Sequence, residues 1–124
     1  MRGNVILDTG PLVAIIHGDD QYHAWSTEQV AEIAPPLLTC EAVLSEAYFL
    51  LKGVPNGRPS LISLILSGMV QLRFSLTGEI EPVTKLLHRY DNVPMSFADA
   101  CLVRMSEQIS GATLLTTDSD FYDL

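Results

Sequence analysis

Apolar residues along this chain fall into two alternating kinds of run. Short ones, Val5-Ile6-Leu7, Leu37-Leu38-Thr39, Val70 to Phe74 and Ala112 to Leu115, are bounded by turn-forming residues and read as buried strands. Between them, apolar positions recur at three- and four-residue spacing, the signature of helices with one buried stripe. Gly10-Pro11 opens the first helix, with proline expected at the first helical position, and Leu12 to Ile16 continue it until Gly18-Asp19-Asp20. An amphipathic segment follows from about Gln21 to Ile33 and ends before Pro35-Pro36. Thr39 is placed to cap a helix from about Cys40 to Lys52, whose inward stripe is Val43, Ala47, Leu50 and Leu51.

Beyond the turn-rich stretch Gly53 to Pro59, helices are expected over Leu61 to Leu66 and Glu79 to Tyr90. A last one runs from Ser96 to about Ile109 with Ala98, Cys101, Leu102, Met105 and Ile109 facing inward. Gly111 stands where a helix-stopping glycine belongs. Strands alternating with helices predict an α/β domain around a parallel sheet, and in such sheets ligands gather at the carboxyl ends of the strands.

Composition narrows the picture. With 124 residues, 48% of them hydrophobic, and a mean hydropathy of +0.25, residues 1–124 are expected to form a single domain with a well-filled core. Val5-Ile6-Leu7 is interrupted by Asp8 too early for a signal peptide or membrane span, so a soluble, cytoplasmic protein without membrane association is expected. Cys40 and Cys101 lie in apolar surroundings without metal-ligand spacing and read as reduced core residues. The net charge of −8 argues against a broad electrostatic grip on duplex nucleic acid.

That charge is unevenly explained. Asp8, Glu46, Asp99 and Asp118 each close an apolar run or interrupt an apolar stripe, where an unpartnered charge costs several kcal/mol. Each has a plain structural reading. Asp8 sits on a strand-to-helix corner, where it could bond the N–H groups of the next helix. Ser96-Phe97-Ala98-Asp99 resembles a capping box. Asp118 and Asp120 could be turn aspartates. Glu46, in the second turn of its helix, lies beyond capping reach, which leaves a buried ion pair with an arginine as its alternative. A shared divalent metal accounts for all of them at once, and with Asp120 would absorb five of the excess negative charges and make the site attractive to phosphate.

Other chemistries find little support. His17, His23 and His88 lack metal-ligand spacing. Ser45 and Ser96 lie in no nucleophile elbow, and Gly53, Gly57 and Gly68 form no phosphate-binding loop. A receiver domain would need an acidic pair after the first strand and a lysine after a late one. An aspartate-nucleophile phosphatase would need an acid where Gly10 stands.

Taken in order, Val5-Ile6-Leu7-Asp8-Thr9-Gly10-Pro11-Leu12, Ser45-Glu46-Ala47, Met95-Ser96-Phe97-Ala98-Asp99-Ala100 and Leu115-Thr116-Thr117-Asp118-Ser119-Asp120-Phe121 resemble a PIN-domain ribonuclease, and most of all the small VapC-type toxins. The resemblance spans nearly the whole chain. It implies a three-layer α/β/α sandwich with a central, mainly parallel sheet, Mg²⁺- or Mn²⁺-dependent endoribonuclease activity, an RNA substrate, an antitoxin partner and a homodimer. Asp8, Glu46, Asp99 and Asp118 match the family's acidic quartet, Asp120 its more variable additional acid, Thr116 the hydroxyl ahead of the last acid and Thr9 the neighbour of the first. Relatives commonly continue past the Asp-Phe pair into a further short strand, whereas this chain stops at Leu124. Lys52, Arg58, Arg73, Lys85, Arg89 and Arg104 are the candidate phosphate contacts, and Trp25 a candidate partner contact or core residue. The rival reading is a PIN-like RNA- or protein-binding module whose acids no longer catalyse.

Overall fold

A computed structural model describes residues 2–118 and residue 121, so Asp120, expected among the site acids, lies outside the described residues. The elements follow in the order β1 (Val5–Leu7), α1 (Thr9–Ile16), α2 (His23–Ala31), β2 (Leu37–Thr39), α3 (Glu41–Leu50), α4 (Gly57–Leu66), β3 (Val70–Leu72), α5 (Leu76–Arg89), α6 (Phe97–Gln108) and β4 (Thr113–Leu115). The four strands form one parallel sheet in the order β3-β2-β1-β4, flanked by helices as an α/β/α fold.

The chain builds this sheet outward from its centre. From β1 it moves to β2 and β3 on one side, then crosses back to lay β4 on the other side of β1. The direction of winding reverses between β1 and β4. At such a switch point the connections leave the strand ends in opposite directions and open a crevice. Register is tight along it, with Val5, Ile6 and Leu7 facing Thr113, Leu114 and Leu115, and the Asp8 N–H bonding the Leu115 carbonyl at 3.1 Å.

Strands β1 and β2 are buried along their whole length, which explains their unbroken apolar runs. They pack into a core that includes Leu12, Val43, Ala47, Leu51, Leu61, Val83, Leu102 and Met105. Cys40 and Cys101 are in that core as free thiols. They share a hydrogen bond that holds the Cys40 thiol below its ordinary range and pushes that of Cys101 up, a contact that their separation in sequence conceals.

Several expected boundaries shift for identifiable reasons. Asp8 itself caps α1, its side chain accepting from Thr9 N–H at 2.7 Å, so Pro11 occupies the third helical position and not the first. The Thr39 hydroxyl does not cap α3; it donates to the Leu7 carbonyl at 2.8 Å across the sheet, and Cys40 holds the cap position. Along α3 the buried residues are Val43, Ala47 and Leu51, a stripe centred on Ala47, which leaves both Leu50 and Glu46 on its margin. Leu50 is 50% exposed and Glu46 is exposed, contrary to their expected inward placement. Helices α4 and α5 begin four and three residues earlier than Leu61 and Glu79, and β3 ends at Leu72, short of Phe74. Among the described residues, no helix is long and apolar enough to cross a membrane.

Candidate active site

Strand β1 ends by delivering Asp8 to the carboxyl edge of the sheet, where the residue is 7% exposed. Its two oxygens are held differently: Oδ1 accepts from Thr9 N–H at 2.7 Å, and Oδ2 accepts from the Thr116 hydroxyl at 2.7 Å. The Thr116 oxygen in turn accepts from Asp118 N–H at 2.9 Å. A single hydroxyl thus joins the acids that follow the neighbouring strands β1 and β4. Gly10 makes the junction possible, because a Cβ there would collide with the Thr117 hydroxyl. The corner after β1 and the loop after β4 close on each other in this form only while position 10 carries no side chain, because a Cβ would force the Thr117 hydroxyl to turn away.

Helix α6 supplies Asp99 from its first turn. Ser96 Oγ accepts from Asp99 N–H at 3.0 Å, and Asp99 Oδ2 accepts from Ser96 N–H at 3.0 Å, a complete capping box. The structural reading of this motif is therefore correct, and it does not exclude a further role. The box fixes the rotamer of Asp99 and occupies one carboxylate oxygen. The charge of Asp99 still reaches Asp8 and Glu46.

Burial pushes the Asp8 carboxyl above its ordinary range against the two hydrogen bonds, and the nearby charges of Asp99 and Asp118 push the same way. Glu46 is also raised, by partial burial of its carboxyl first and then by Asp8 and Asp99, although the residue as a whole is exposed. The structure thus brings Asp8, Glu46, Asp99 and Asp118 to one edge, with Asp8 buried, Asp99 and Asp118 half-buried and Glu46 at the rim. Arginine does not explain Glu46: among the described residues, neither Asp8, Glu46 nor Asp99 has a cation at ion-pair distance.

These donors are hard oxygens, the chemistry that suits hard divalent cations. Beside them the Thr9 hydroxyl is buried and reaches towards Glu46 without attaining hydrogen-bond geometry with any described group, a further oxygen left over for a ligand. As placed, no three acidic, histidine or cysteine side chains among the described residues stand at the spacing of a closed metal cage. The donor set fits a divalent cation in kind, with its oxygens spread along an edge open to solvent.

Of the basic candidates, Arg104 is engaged elsewhere, bonding Glu79 at 3.1 Å and Glu107 at 3.4 Å. Arg58 donates to the Tyr48 carbonyl at 2.8 Å and stacks over the Tyr48 ring, pinning the start of α4 to α3. His23 bonds the Ala14 carbonyl at 2.6 Å, consistent with its exclusion from the site. The close approach of Gly10 to Thr117 escapes a reading by motif. Its signal is an acid, one residue and a glycine directly after a buried strand.

A search of curated proteins finds no match to this sequence. Among solved structures, the fold is similar to the crystal structure of VapC20 from Mycobacterium tuberculosis, a sarcin-ricin loop cleaving toxin. That similarity has a TM-score of 0.75 at 24% sequence identity and covers 92% of this chain and 91% of that one. The family model described as the PIN domain matches residues 5–124, a span that contains every acid of the site. The chain belongs to the PIN-domain family.

Proposed function

We propose that this protein is a Mg²⁺- or Mn²⁺-dependent endoribonuclease and the toxin component of a toxin–antitoxin pair. The observation that carries the reading is the gathering of Asp8, Glu46, Asp99 and Asp118 at the switch point of a parallel sheet, with Asp8 locked by Thr9 and Thr116. A fold that needed these acids only as caps would have no reason to aim four of them at one another.

In this reading Asp8, Asp99 and Asp118 would hold the principal ion, with Asp120 assisting through water, and Glu46 would hold a second ion or orient the attacking water. The chemistry such an ion supplies is Lewis-acid polarisation of the phosphate and acidification of water. The residues do the positioning. Thr116 fixes Asp8 Oδ2 and, through Asp118 N–H, the start of the loop bearing the last acids. Ser96 fixes Asp99. Glu46, at the exposed rim, has the access to solvent and the raised proton affinity to take a proton from water on the approach side. Water attack leaves a 5′-phosphate and a 3′-hydroxyl, without the ribose 2′-hydroxyl taking part.

The same reading places the protein in the cytoplasm, where its RNA lies, and gives it an antitoxin partner and a homodimeric state. Large apolar side chains left exposed on α2, α3 and α4, including Trp25, Phe49 and Leu66, support association with other chains. Trp25 is 41% exposed and so belongs to this surface and not to the core.

The test is cleavage of a panel of purified RNAs in Mg²⁺ or Mn²⁺, with EDTA and Asp99→Asn as controls. The panel includes a sarcin-ricin loop RNA, the element that VapC20 cleaves. Cutting that needs metal and Asp99 is expected. A 2′,3′-cyclic phosphate product would overturn the mechanism. No cutting, with calorimetry detecting no metal, would leave a binding module.

A further inference from the structure

Phosphate chemistry at an edge lined with acids needs a cation to meet the strand on either side of the cut. The sheet register identifies where one is built in. Ile6 pairs with Leu38, and Leu38 with Gln71. Two residues further along each strand, the same row reads Asp8, Cys40, Arg73, and on the other side of β1 the pairing of Ile6 with Leu114 extends it to Thr116. The row is real beyond the last paired strand residues, because Arg73 N–H bonds the Thr39 carbonyl at 3.1 Å just as Asp8 N–H bonds the Leu115 carbonyl at 3.1 Å. Asp8 and Cys40 also keep extended backbones.

Side chains of one row across a parallel sheet point to the same face. Two members demonstrate it: the Thr116 hydroxyl touches Asp8 Oδ2, and Cys40 meets Cys101 of α6, the helix that also supplies Asp99. Arg73 is therefore the fourth member of the row that contains the site's buried acid. Two strand spacings separate its Cα from that of Asp8, about 10 Å. It is exposed, and no acid among the described residues is at ion-pair distance from it. Of the seven lysines and arginines in the chain, it alone lies within two residues of the carboxyl end of a strand.

We propose that Arg73 binds a backbone phosphate of the RNA next to the one held at the acids, and so sets the direction in which the strand crosses the sheet edge. The inference rests on the ribonuclease reading above and adds the path of the substrate. Arg73 is a positioning residue, with no part in the bond-breaking step. A planar guanidinium on a backbone locked to β2 presents two donors to one phosphate at small entropic cost.

The experiment is steady-state cleavage of an unstructured RNA oligonucleotide in Mn²⁺ over a range of salt concentrations, for the wild type, Arg73→Ala, Arg73→Gln, Arg73→Lys and Arg2→Gln. Arg2, at the opposite end of the sheet and bonded to Gln29, controls for loss of one positive charge. Both neutral Arg73 variants are expected to lower kcat/KM about 3- to 10-fold through KM, with kcat preserved. They should also flatten the slope of log kcat/KM against log salt by about 0.7, the value for one phosphate contact on a single strand. Arg73→Lys should recover most of the slope, and Arg2→Gln should match the wild type. A wild-type enzyme that cuts, with Arg73 variants of unchanged KM and slope or with a loss confined to kcat, overturns this proposal alone. A wild-type protein that cuts no RNA overturns the ribonuclease reading and this proposal with it.

Discussion

Helix α6 carries two acidic neighbourhoods that the fold treats in opposite ways. Towards its end Arg104 bonds Glu79 and Glu107, and Gln108 donates to the same Glu79 oxygen, so each carboxylate there meets a donor from a neighbouring turn or helix. At its start Asp99 joins Asp8 and Glu46, and none of the three meets a cation among the described residues. Their oxygens take only backbone N–H groups and one hydroxyl. Where charge serves packing, this chain supplies an arginine. Where it supplies none, burial and then neighbouring acids raise the proton affinity of Asp8 and Glu46, the pattern expected of a site that a ligand completes.

The largest expected effect tests that contrast directly. Asp99→Asn should lower RNA cleavage on the order of 10³-fold or more, because it removes an anionic ligand. The fold should survive, since the amide oxygen can still accept from Ser96 N–H. Glu79→Gln, one charge removed from the paired neighbourhood, should leave the rate unchanged. Equal losses in both variants would mean that the two neighbourhoods do not differ in kind.

Next in size is Gly10→Ala. The added Cβ meets the Thr117 hydroxyl, which must rotate away or carry the loop after β4 with it. A stability loss of about 1–3 kcal/mol is expected by chemical denaturation. Cleavage should fall further than stability does, because the displaced loop carries Asp118. Full activity with intact stability would show that the junction of the two loops is looser than drawn. By contrast, an Arg104→Ala and Glu79→Gln double-mutant cycle should give only a small coupling in thermal melts, with no catalytic consequence.

These contrasts bear on how far the amino-acid order alone could be read. Four strands, six helices and the carboxyl-edge placement of the acids follow from periodicity, because buried parallel strands force unbroken apolar runs such as Val5-Ile6-Leu7. Helix starts were less legible. Asp8 caps α1 two residues earlier than Gly10-Pro11 suggests, and Thr39, an apparent cap, spends its hydroxyl on the Leu7 carbonyl of the neighbouring strand. A side chain that can serve either a local or a cross-strand acceptor gives no sign of which it has chosen. Glu46 is hard to place for a related reason: periodicity puts it three residues from Val43, but only the packing decides that the buried stripe centres on Ala47. The contact of Cys40 with Cys101 and the register row ending in Arg73 depend on strand order, which no local pattern encodes.

The smallest effect separates function from stability at a single residue. The carboxyl groups of Asp8 and Glu46 sit above their ordinary values of 3.8 and 4.5, each chiefly through burial and then through acidic neighbours. The folded state therefore holds these protons more tightly than the unfolded chain does. The stability that this confers is fully present below the unfolded values and is lost as pH rises through the raised folded ones. At neutral pH the metal-free protein carries that loss, and a divalent ion bound at the acids would offset it. Glu46→Gln removes one contributor, so in EDTA at pH 7 it should leave the protein slightly more stable, by under about 0.5 kcal/mol given the exposure of the residue. It should also flatten the fall in melting temperature between pH 4 and pH 7 and reduce the gain in melting temperature on adding Mn²⁺. Cleavage should drop even as stability rises. If Glu46→Gln instead lowers stability at pH 7 in EDTA, the charge on Glu46 is satisfied within the chain, and the site differs from the Glu79–Arg104 neighbourhood by less than its geometry suggests.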